Sequence, residues 1–166
     1  MRTVTPATAT SWLQKLVRAR AGVAHTQSAM FEGHYQTIET AVGMCCCVTC
    51  GRMLPWKSRW KHQSKKHIII QGGHWIPKSK GREWLMLCEE NVYPQCSVCN
   101  MPDSSGSGYG NKQAFDTFIF HHLGMDRMKQ LQASTRLSLP RGKVKELSDN
   151  YRLEFHQLRR KLERYE

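Results

Sequence analysis

Two Cys-x-x-Cys pairs stand out among the residues that could do chemistry. They are Cys47-Val-Thr-Cys50 and Cys96-Ser-Val-Cys99. A tight knuckle of this spacing turns two thiolates toward one tetrahedral Zn²⁺ ion, and two knuckles complete the shell of the ion. The 45 intervening residues exceed the usual gap of a zinc ribbon, but they could form an excursion closed by the metal. The sequence therefore predicts one structural zinc held by Cys47, Cys50, Cys96 and Cys99.

Three further cysteines lie outside these pairs: Cys45, Cys46 and Cys88. The N-terminus lacks a secretory apolar segment, and thiols stay reduced inside the cell, so paired spacing favours a metal over disulfides. Cys46 is an alternative to Cys47 as a zinc ligand. The alternative to any zinc is a set of unrelated buried thiols.

One histidine and two asparagines follow in a fixed order around the second pair. They are His74 in Gly-Gly-His-Trp, Asn91 after Glu90, and Asn100 directly after Cys99. A histidine can take a proton from a water that attacks a phosphodiester, and an amide can orient the imidazole ring. An amide oxygen can also hold Mg²⁺ or Mn²⁺ at the phosphate. These types predict His74 as general base, Asn91 as its orienting residue and Asn100 as a ligand of the catalytic metal.

The order His, Asn, Asn, between the two zinc-binding pairs and directly after the second, is that of an HNH nuclease. The fold expected from it is α+β: a zinc-bound ββα-metal finger with flanking N- and C-terminal helices. Many HNH nucleases carry an aspartate before the catalytic histidine as second metal ligand, and this chain has Gly73 there. Asp103, Glu89 or Glu90 could supply the carboxylate, or water could complete a magnesium shell.

The sequence resembles the lambdoid phage NinG (Rap) recombination proteins, which are His-Me-finger nucleases acting on branched recombination intermediates. The motifs that carry the resemblance are CVTCGR at 47–52, GGHW at 72–75, ENVYPQCSVCN at 90–100 and a Gly-Asn at 110–111 that opens an aromatic helix. It covers about residues 40–130 and extends to the lead-in LQKLVRARAG. The resemblance implies a metal-dependent endonuclease that cuts branched DNA, such as a Holliday junction or D-loop, in phage recombination.

Two other functions stay open from the sequence. One is a general HNH nicking endonuclease, which differs only in its substrate preference. The other is a non-catalytic zinc DNA-binding protein, which has no need of His74. Only a cleavage assay separates the three.

The charge of the chain favours a polyanionic partner. It has 25 Lys and Arg against 13 Asp and Glu, a formal net charge of +12, and neutralising phosphates releases counterions from nucleic acid. A solvated basic loop is the alternative for the cluster that begins near residue 57. The candidate DNA contacts are Arg59, Trp60, Lys61, Lys65, Lys66, Lys78, Lys80, Arg82 and Asn111.

The flanking elements follow from periodicity and capping residues. Residues 1–44 are predicted as a helical N-terminal arm with a frayed start, a helix capped by Ser11 and helical structure to about Val42. Residues 45–131 form the nuclease module, including a helix capped by Asn111 that Gly124 ends or interrupts. Residues 132–166 form a basic amphipathic helix from Lys143 onward.

The apolar residues of that last helix, from Val144 to Tyr165, alternate in steps of three and four, as in a coiled-coil seam. A junction has paired strands to cut, so this helix is expected to contribute to a homodimer with two active sites. The alternative is that the stripe packs on the chain's own core. No apolar run is long enough for a membrane helix, so the expected location is the cytoplasm; mitochondrial targeting by the acid-free residues 1–31 is a minor alternative.

Overall fold

The protein places three short antiparallel hairpins between two long helices, one at each end. The computed structural model describes residues 4–57, 68–78, 83–101 and 111–165. The helices are α1 (Pro6–Val23), α2 (Glu83–Met86), α3 (Ser97–Asn100), α4 (Lys112–Leu123), α5 (Met125–Ala133) and α6 (Arg141–Leu162). The strands are β1 (Thr26–Phe31), β2 (His34–Glu39), β3 (Met44–Cys46), β4 (Met53–Pro55), β5 (Ile70–His74) and β6 (Val92–Cys96). The predicted mixed α+β architecture with terminal helices is therefore confirmed.

Helix α1 starts earlier than the sequence analysis predicted. Its N-cap is Thr5, whose hydroxyl accepts from the backbone N–H of Thr8 at 3.2 Å, and Pro6 occupies the first turn. Proline has no N–H to leave unsatisfied there, and its φ suits a helix. The cap at Ser11 was wrong, and so was the frayed start over residues 4–10, because Thr5 and Pro6 supply a stronger start signal. Residues 1–3 of the predicted frayed start lie outside the described residues.

The predicted helical arm to Val42 was also wrong, because β1 and β2 form a hairpin after α1. The two strands pair from Thr26↔Glu39 to Phe31↔His34. Both residues of the connecting turn, Glu32 and Gly33, have positive φ, as a two-residue hairpin turn requires. Glutamate is an unusual residue for the first of these positions, so the turn is hard to predict from the sequence.

Strands β5 and β6 form the hairpin that carries the candidate site, with His74 opposite Val92 and Gly72 opposite Pro94. Helix α1 crosses β5 closely: the side-chain amide of Gln14 donates to the carbonyl of Gly72 at 2.7 Å. A Cβ atom at position 72 would lie 2.8 Å from the Cα of Gln14, so only glycine permits this approach. The N-terminal helix is thereby fixed against the strand that ends in His74.

Helix α6 packs its apolar stripe against α1 in the principal core. Tyr151, Phe155 and Leu162 are buried there, and the Tyr151 hydroxyl donates to the carbonyl of Leu87 at 2.7 Å. Tyr165, the last residue of the predicted seam, is 73% exposed. The stripe that we expected to contribute to a homodimer is therefore occupied by the chain's own core, while homodimerisation itself stays a prediction.

Helices α4 and α5 carry the predicted segment from Asn111 onward. The Asn111 side chain accepts from the Ala114 N–H at 3.3 Å and caps α4, as predicted. Gly124, at φ 81°, separates α4 from α5. The inner face of α4 packs Phe118 and Ile119 into a second buried cluster around Trp75. Within the described ranges, no helix has both the length and the apolar character needed to cross a membrane.

Candidate metal centre and catalytic cleft

The four predicted cysteine ligands lie together. The sulfur atoms of Cys47, Cys50, Cys96 and Cys99 are all within 4.8 Å of one another, and those of Cys50 and Cys96 are 3.9 Å apart. A zinc ion with bonds of about 2.3 Å separates tetrahedral thiolates by about 3.8 Å. The cluster therefore has the dimensions and donor chemistry to hold a zinc ion.

Two short turns bring these thiols together. In the first knuckle the carbonyl of Cys47 accepts from the N–H of Gly51 at 2.8 Å, with Gly51 at φ 70°. The backbone N–H of Cys96 then donates to the Cys47 sulfur at 3.2 Å. The pKa of Cys47 is lowered because the thiols of Cys50, Cys96 and Cys99 hydrogen-bond to it. The site thus favours thiolate at Cys47, the form that binds metal.

The left-over cysteines lie outside the cluster. The Cys46 thiol faces the carbonyl of Gly51 at 3.4 Å, and the Cys45 thiol faces the carbonyl of Arg18 at 3.1 Å. Burial raises the pKa of both thiols to about 12, which keeps them protonated. The alternative of Cys46 as a zinc ligand is therefore wrong, because its side chain points to the backbone rather than to the other three sulfurs.

A cleft of about 350 Å³ opens beside β5 and contains two of the three predicted catalytic residues, His74 and Asn100. Lys78 and Lys112 also line it, together with Gln95. None of the described residues that line this cleft is acidic. Lys112 is ion-paired with Asp116, which does not line the cleft, so Lys78 supplies the uncompensated positive charge among the described lining residues. The other polar side chains of the lining are amides, one imidazole and the Trp75 indole.

The imidazole of His74 is held in one orientation by the backbone. Its Nε2 lies 3.1 Å from the carbonyl oxygen of Met86. A carbonyl can only accept, so Nε2 carries the proton and Nδ1 is left as the proton acceptor. The pKa of His74 is lowered to about 4, chiefly by burial and to a smaller extent by the charge of Lys78, despite the hydrogen bond to Met86. The ring is therefore neutral at neutral pH, as a general base must be.

Asn91 does not orient the imidazole directly, and this part of the sequence interpretation was wrong. Its Oδ1 accepts from the N–H of Ile76 at 2.7 Å, and its Nδ2 donates to the carbonyls of Ile76 and Leu85 at 3.1 and 2.9 Å. The fully buried amide satisfies the backbone of the loop after His74. Because Leu85 precedes Met86, Asn91 positions the carbonyl that holds the ring, and is a positioning residue rather than a catalytic one.

Asn100 presents its oxygen beside Gly73. Its Nδ2 donates to the side-chain oxygen of Gln71 at 2.6 Å, which turns Oδ1 the other way. A Cβ atom at position 73 would lie 2.9 Å from this Oδ1 and would overlap Oε1 of Gln95. Two carbonyl oxygens thus converge on the space that a side chain at position 73 would occupy. The Gln95 side chain occupies that space, which explains why position 73 has no side chain.

The glutamates considered as replacements for the aspartate of many HNH nucleases are engaged elsewhere. Glu89 pairs with Arg20 at 2.5 Å, and Glu90 accepts from Arg127 at 2.9 Å. Both line a different cleft, between α1 and α4. Asp103 lies outside the described residues.

Lys78 is the candidate DNA contact that lies in the His74 cleft. Asn111 caps α4 and lines another cleft. Sequence reasoning missed Gln95 and Lys112; Gln95 stands directly before a ligand cysteine and Lys112 directly after a helix cap, and neither pattern is distinctive. The other predicted contacts lie outside the described residues: Arg59, Trp60, Lys61, Lys65, Lys66, Lys80 and Arg82.

Comparison with known proteins adds no relative: no family model, no curated protein and no solved structure matches this chain. The function is therefore inferred from the chain's own residues and their geometry.

The buried setting of His74 generates a prediction for its titration. Because the pKa is lowered to about 4, the ring stays neutral, with its proton on Nε2, when the pH falls from 7 to 5. Nitrogen-detected NMR of the imidazoles checks both the charge and the tautomer. A His74 ring that gains its second proton near the ordinary value of 6.5, or that carries its single proton on Nδ1, would contradict this arrangement.

Proposed function

We propose that this protein is a metal-dependent DNA endonuclease of the HNH, or ββα-metal, class. One observation carries the proposal. The neutral, oriented imidazole of His74 lies in one cleft with two amide oxygens that can accept, those of Gln95 and Asn100. The thiol cluster is adjacent, because Asn100 directly follows Cys99. This set matches the needs of phosphodiester hydrolysis: a base, a cation site and cationic groups for phosphate.

In this mechanism His74 acts through Nδ1, which takes the proton from the attacking water. Lys78 binds the phosphate oxygens and neutralises charge that develops on them. Lys112 lines the same cleft, where its ammonium is paired with Asp116. A divalent cation held by Asn100 and Gln95 would polarise the phosphoryl group. Asn91 keeps the Met86 carbonyl in place, so that the base retains one tautomer.

Branched DNA is the substrate class we propose within this class of enzyme. The resemblance to NinG proteins supports it through the motifs around Cys47, His74 and Asn100, and the net charge of +12 supports a polyanionic substrate. The general nicking endonuclease and the non-catalytic zinc protein are the alternatives that the cleavage experiment distinguishes.

The decisive experiment compares linear, flap, fork and four-way DNA of matched sequence with Mg²⁺ or Mn²⁺. We expect preferential cutting of the branched forms. His74→Ala should lower the cleavage rate by about 10²- to 10⁴-fold with DNA affinity retained, because a general base acts in the transition state. His121→Ala, on the exposed part of α4, is the matched control and should cut normally.

The other outcomes of this experiment are informative. Equal cutting of linear and four-way DNA would favour the nicking endonuclease. DNA binding without cleavage of any substrate with either metal would favour the non-catalytic protein. Full activity of the His74 variant would contradict the proposed mechanism.

We also propose that the thiol cluster holds one structural zinc ion per chain. Cys47→Ser should lower the zinc content and the stability of the fold, because metal binding contributes to folding free energy. Cys46→Ser is the matched neighbouring variant and should retain the zinc, because its thiol lies outside the cluster. Elemental analysis with thermal unfolding measures both, and folded wild-type protein without zinc would contradict the assignment.

The donor set in the cleft predicts how the catalytic cation binds. Mg²⁺ and Mn²⁺ sites commonly combine carboxylates with substrate phosphates, and Gln95 and Asn100 supply only neutral oxygens. The free protein should therefore bind Mn²⁺ weakly, and an uncleavable oligonucleotide should tighten this binding.

Variants of Gln95 test this arrangement independently of activity, with Mn²⁺ binding read by electron paramagnetic resonance. Gln95→Ala should weaken Mn²⁺ binding in the DNA complex by about tenfold or more. Gln95→Glu should tighten it in the free protein, since the variant adds a carboxylate at the same place. Wild-type Mn²⁺ affinity in the alanine variant would remove Gln95 from the site.

A further inference from the structure

Arg18 on α1 is a half-buried arginine that has no carboxylate partner among the described residues. Its Nε donates to the carbonyl of Gln14 at 3.3 Å, and one terminal nitrogen donates to the carbonyl of Ile70 at 3.4 Å. Two residues further along, Arg20 binds Glu154 at 2.6 and 2.7 Å and Glu89 at 2.5 Å. Buried charges are normally paired, so the uncompensated guanidinium of Arg18 is unusual.

Arg18 lies between the candidate active site and a second basic cleft. Gln14 and Asn100 line both the His74 cleft and a neighbouring one that Arg18 also lines. Arg18 in turn lines a third cleft, between α1 and α6. The three clefts are therefore neighbours joined by shared lining residues, and we call them together the groove. No acidic residue lines the described part of the groove.

The far end of this groove combines lysine and arginine side chains with aromatic rings. The ammonium of Lys15 lies 4.2 Å from the centre of the Trp12 ring, which holds this cation in the cleft. Lys57 and Arg159 line the same cleft, and Glu163 pairs with both of them at 3.5 and 2.8 Å without lining it. Glu163 therefore offsets one of these two positive charges, and Lys15 and Arg18, which have no acidic partner among the described residues, add two more.

We propose that this groove binds the nucleic-acid strand that continues from the scissile phosphate, and that Arg18 binds a backbone phosphate of that strand. The proposal rests on the endonuclease function proposed above. A guanidinium suits a phosphate because its N–H groups can donate in pairs to two oxygens. A polynucleotide fits better than an isolated anion because cationic groups recur along the groove, from Lys78 through Arg18 to Lys15.

Salt dependence of DNA binding tests the role of Arg18, because each phosphate contact contributes about 0.9 to the slope of log K against log salt for duplex DNA and about 0.7 for single strands. The full chain is titrated with four-way DNA without Mg²⁺ between 50 and 200 mM salt, by fluorescence anisotropy. Arg18→Gln should weaken binding about tenfold and reduce the slope by about one contact. Lys15→Gln should reduce the slope further when combined with it.

Two variants separate a phosphate contact from loss of net charge or of structure. Arg152→Gln removes one charge from an exposed α6 arginine that pairs with Asp149, and should leave the slope unchanged. Arg18→Lys keeps the charge and should recover most of the slope. A folded Arg18→Gln protein with the same slope as Arg152→Gln would overturn the proposal.

The direction of the strand gives a second, independent readout. Oligonucleotides are shortened in steps on one side of the cleavage position, and their affinity should fall until the strand no longer reaches Arg18. In the Arg18→Gln variant the affinity should not depend on the strand length on that side. An acidic peptide of equal charge that competes as well as DNA would overturn the nucleic-acid occupant. Wild-type protein that binds no DNA would instead refute the endonuclease function itself.

Discussion

The convergence of four thiols is the constraint on which the rest of the site depends. It joins the turn after β3 to the end of β6, and these two segments share one backbone-to-sulfur hydrogen bond, from Cys96 N–H to Cys47. Four thiolates repel one another, so the arrangement requires a cation to be stable in its ionised form. Since Asn100 follows the last of the four cysteines, the same cluster fixes the amide oxygen that this residue presents in the His74 cleft.

Strand β5, which ends in His74, is placed by close packing and not by the thiol cluster. Gly72 lets α1 approach β5, and Gly73 leaves room for the oxygens of Gln95 and Asn100. Consecutive strand residues face opposite sides of a strand. Gly72 therefore leaves room for α1 on one side, and Gly73 leaves room for the two amide side chains on the other. The strand therefore has α1 on one side and the amide oxygens on the other, with His74 at its end.

The sequence predicted the parts of this site in which residue type and spacing determine the contact. The four paired cysteines lie together and His74 and Asn100 line one cleft, and these are the residues whose types and spacing were distinctive in the sequence. It could not predict the role of Asn91, since a buried amide bonds to whichever backbone groups the loop leaves unsatisfied. Gln95 was missed for a related reason. Its side chain reaches the cleft because Gly73, on the neighbouring strand β5, has no side chain in the way.

The terminal elements show why periodicity alone was insufficient. The stripe on α6 has the spacing of an intermolecular seam, yet α1 buries it, and only the tertiary structure distinguishes the two. The β1–β2 hairpin lacks the two usual sequence signals, a proline that ends the preceding helix and an Asn-Gly turn between the strands, so periodicity did not reveal it.

The separation of the two cysteine pairs has a consequence for how such a chain can change over evolution. The entropy of closing a loop grows only with the logarithm of its length, so doubling the 45 residues between the knuckles would cost about 0.6 kcal/mol. Flexible insertions within that span that spare β4, β5, α2, Asn91 and β6 would therefore leave the geometry of the thiol cluster almost unchanged. The parts of this segment that carry none of these elements can diversify in length and composition while the thiol cluster and the His74 cleft stay the same.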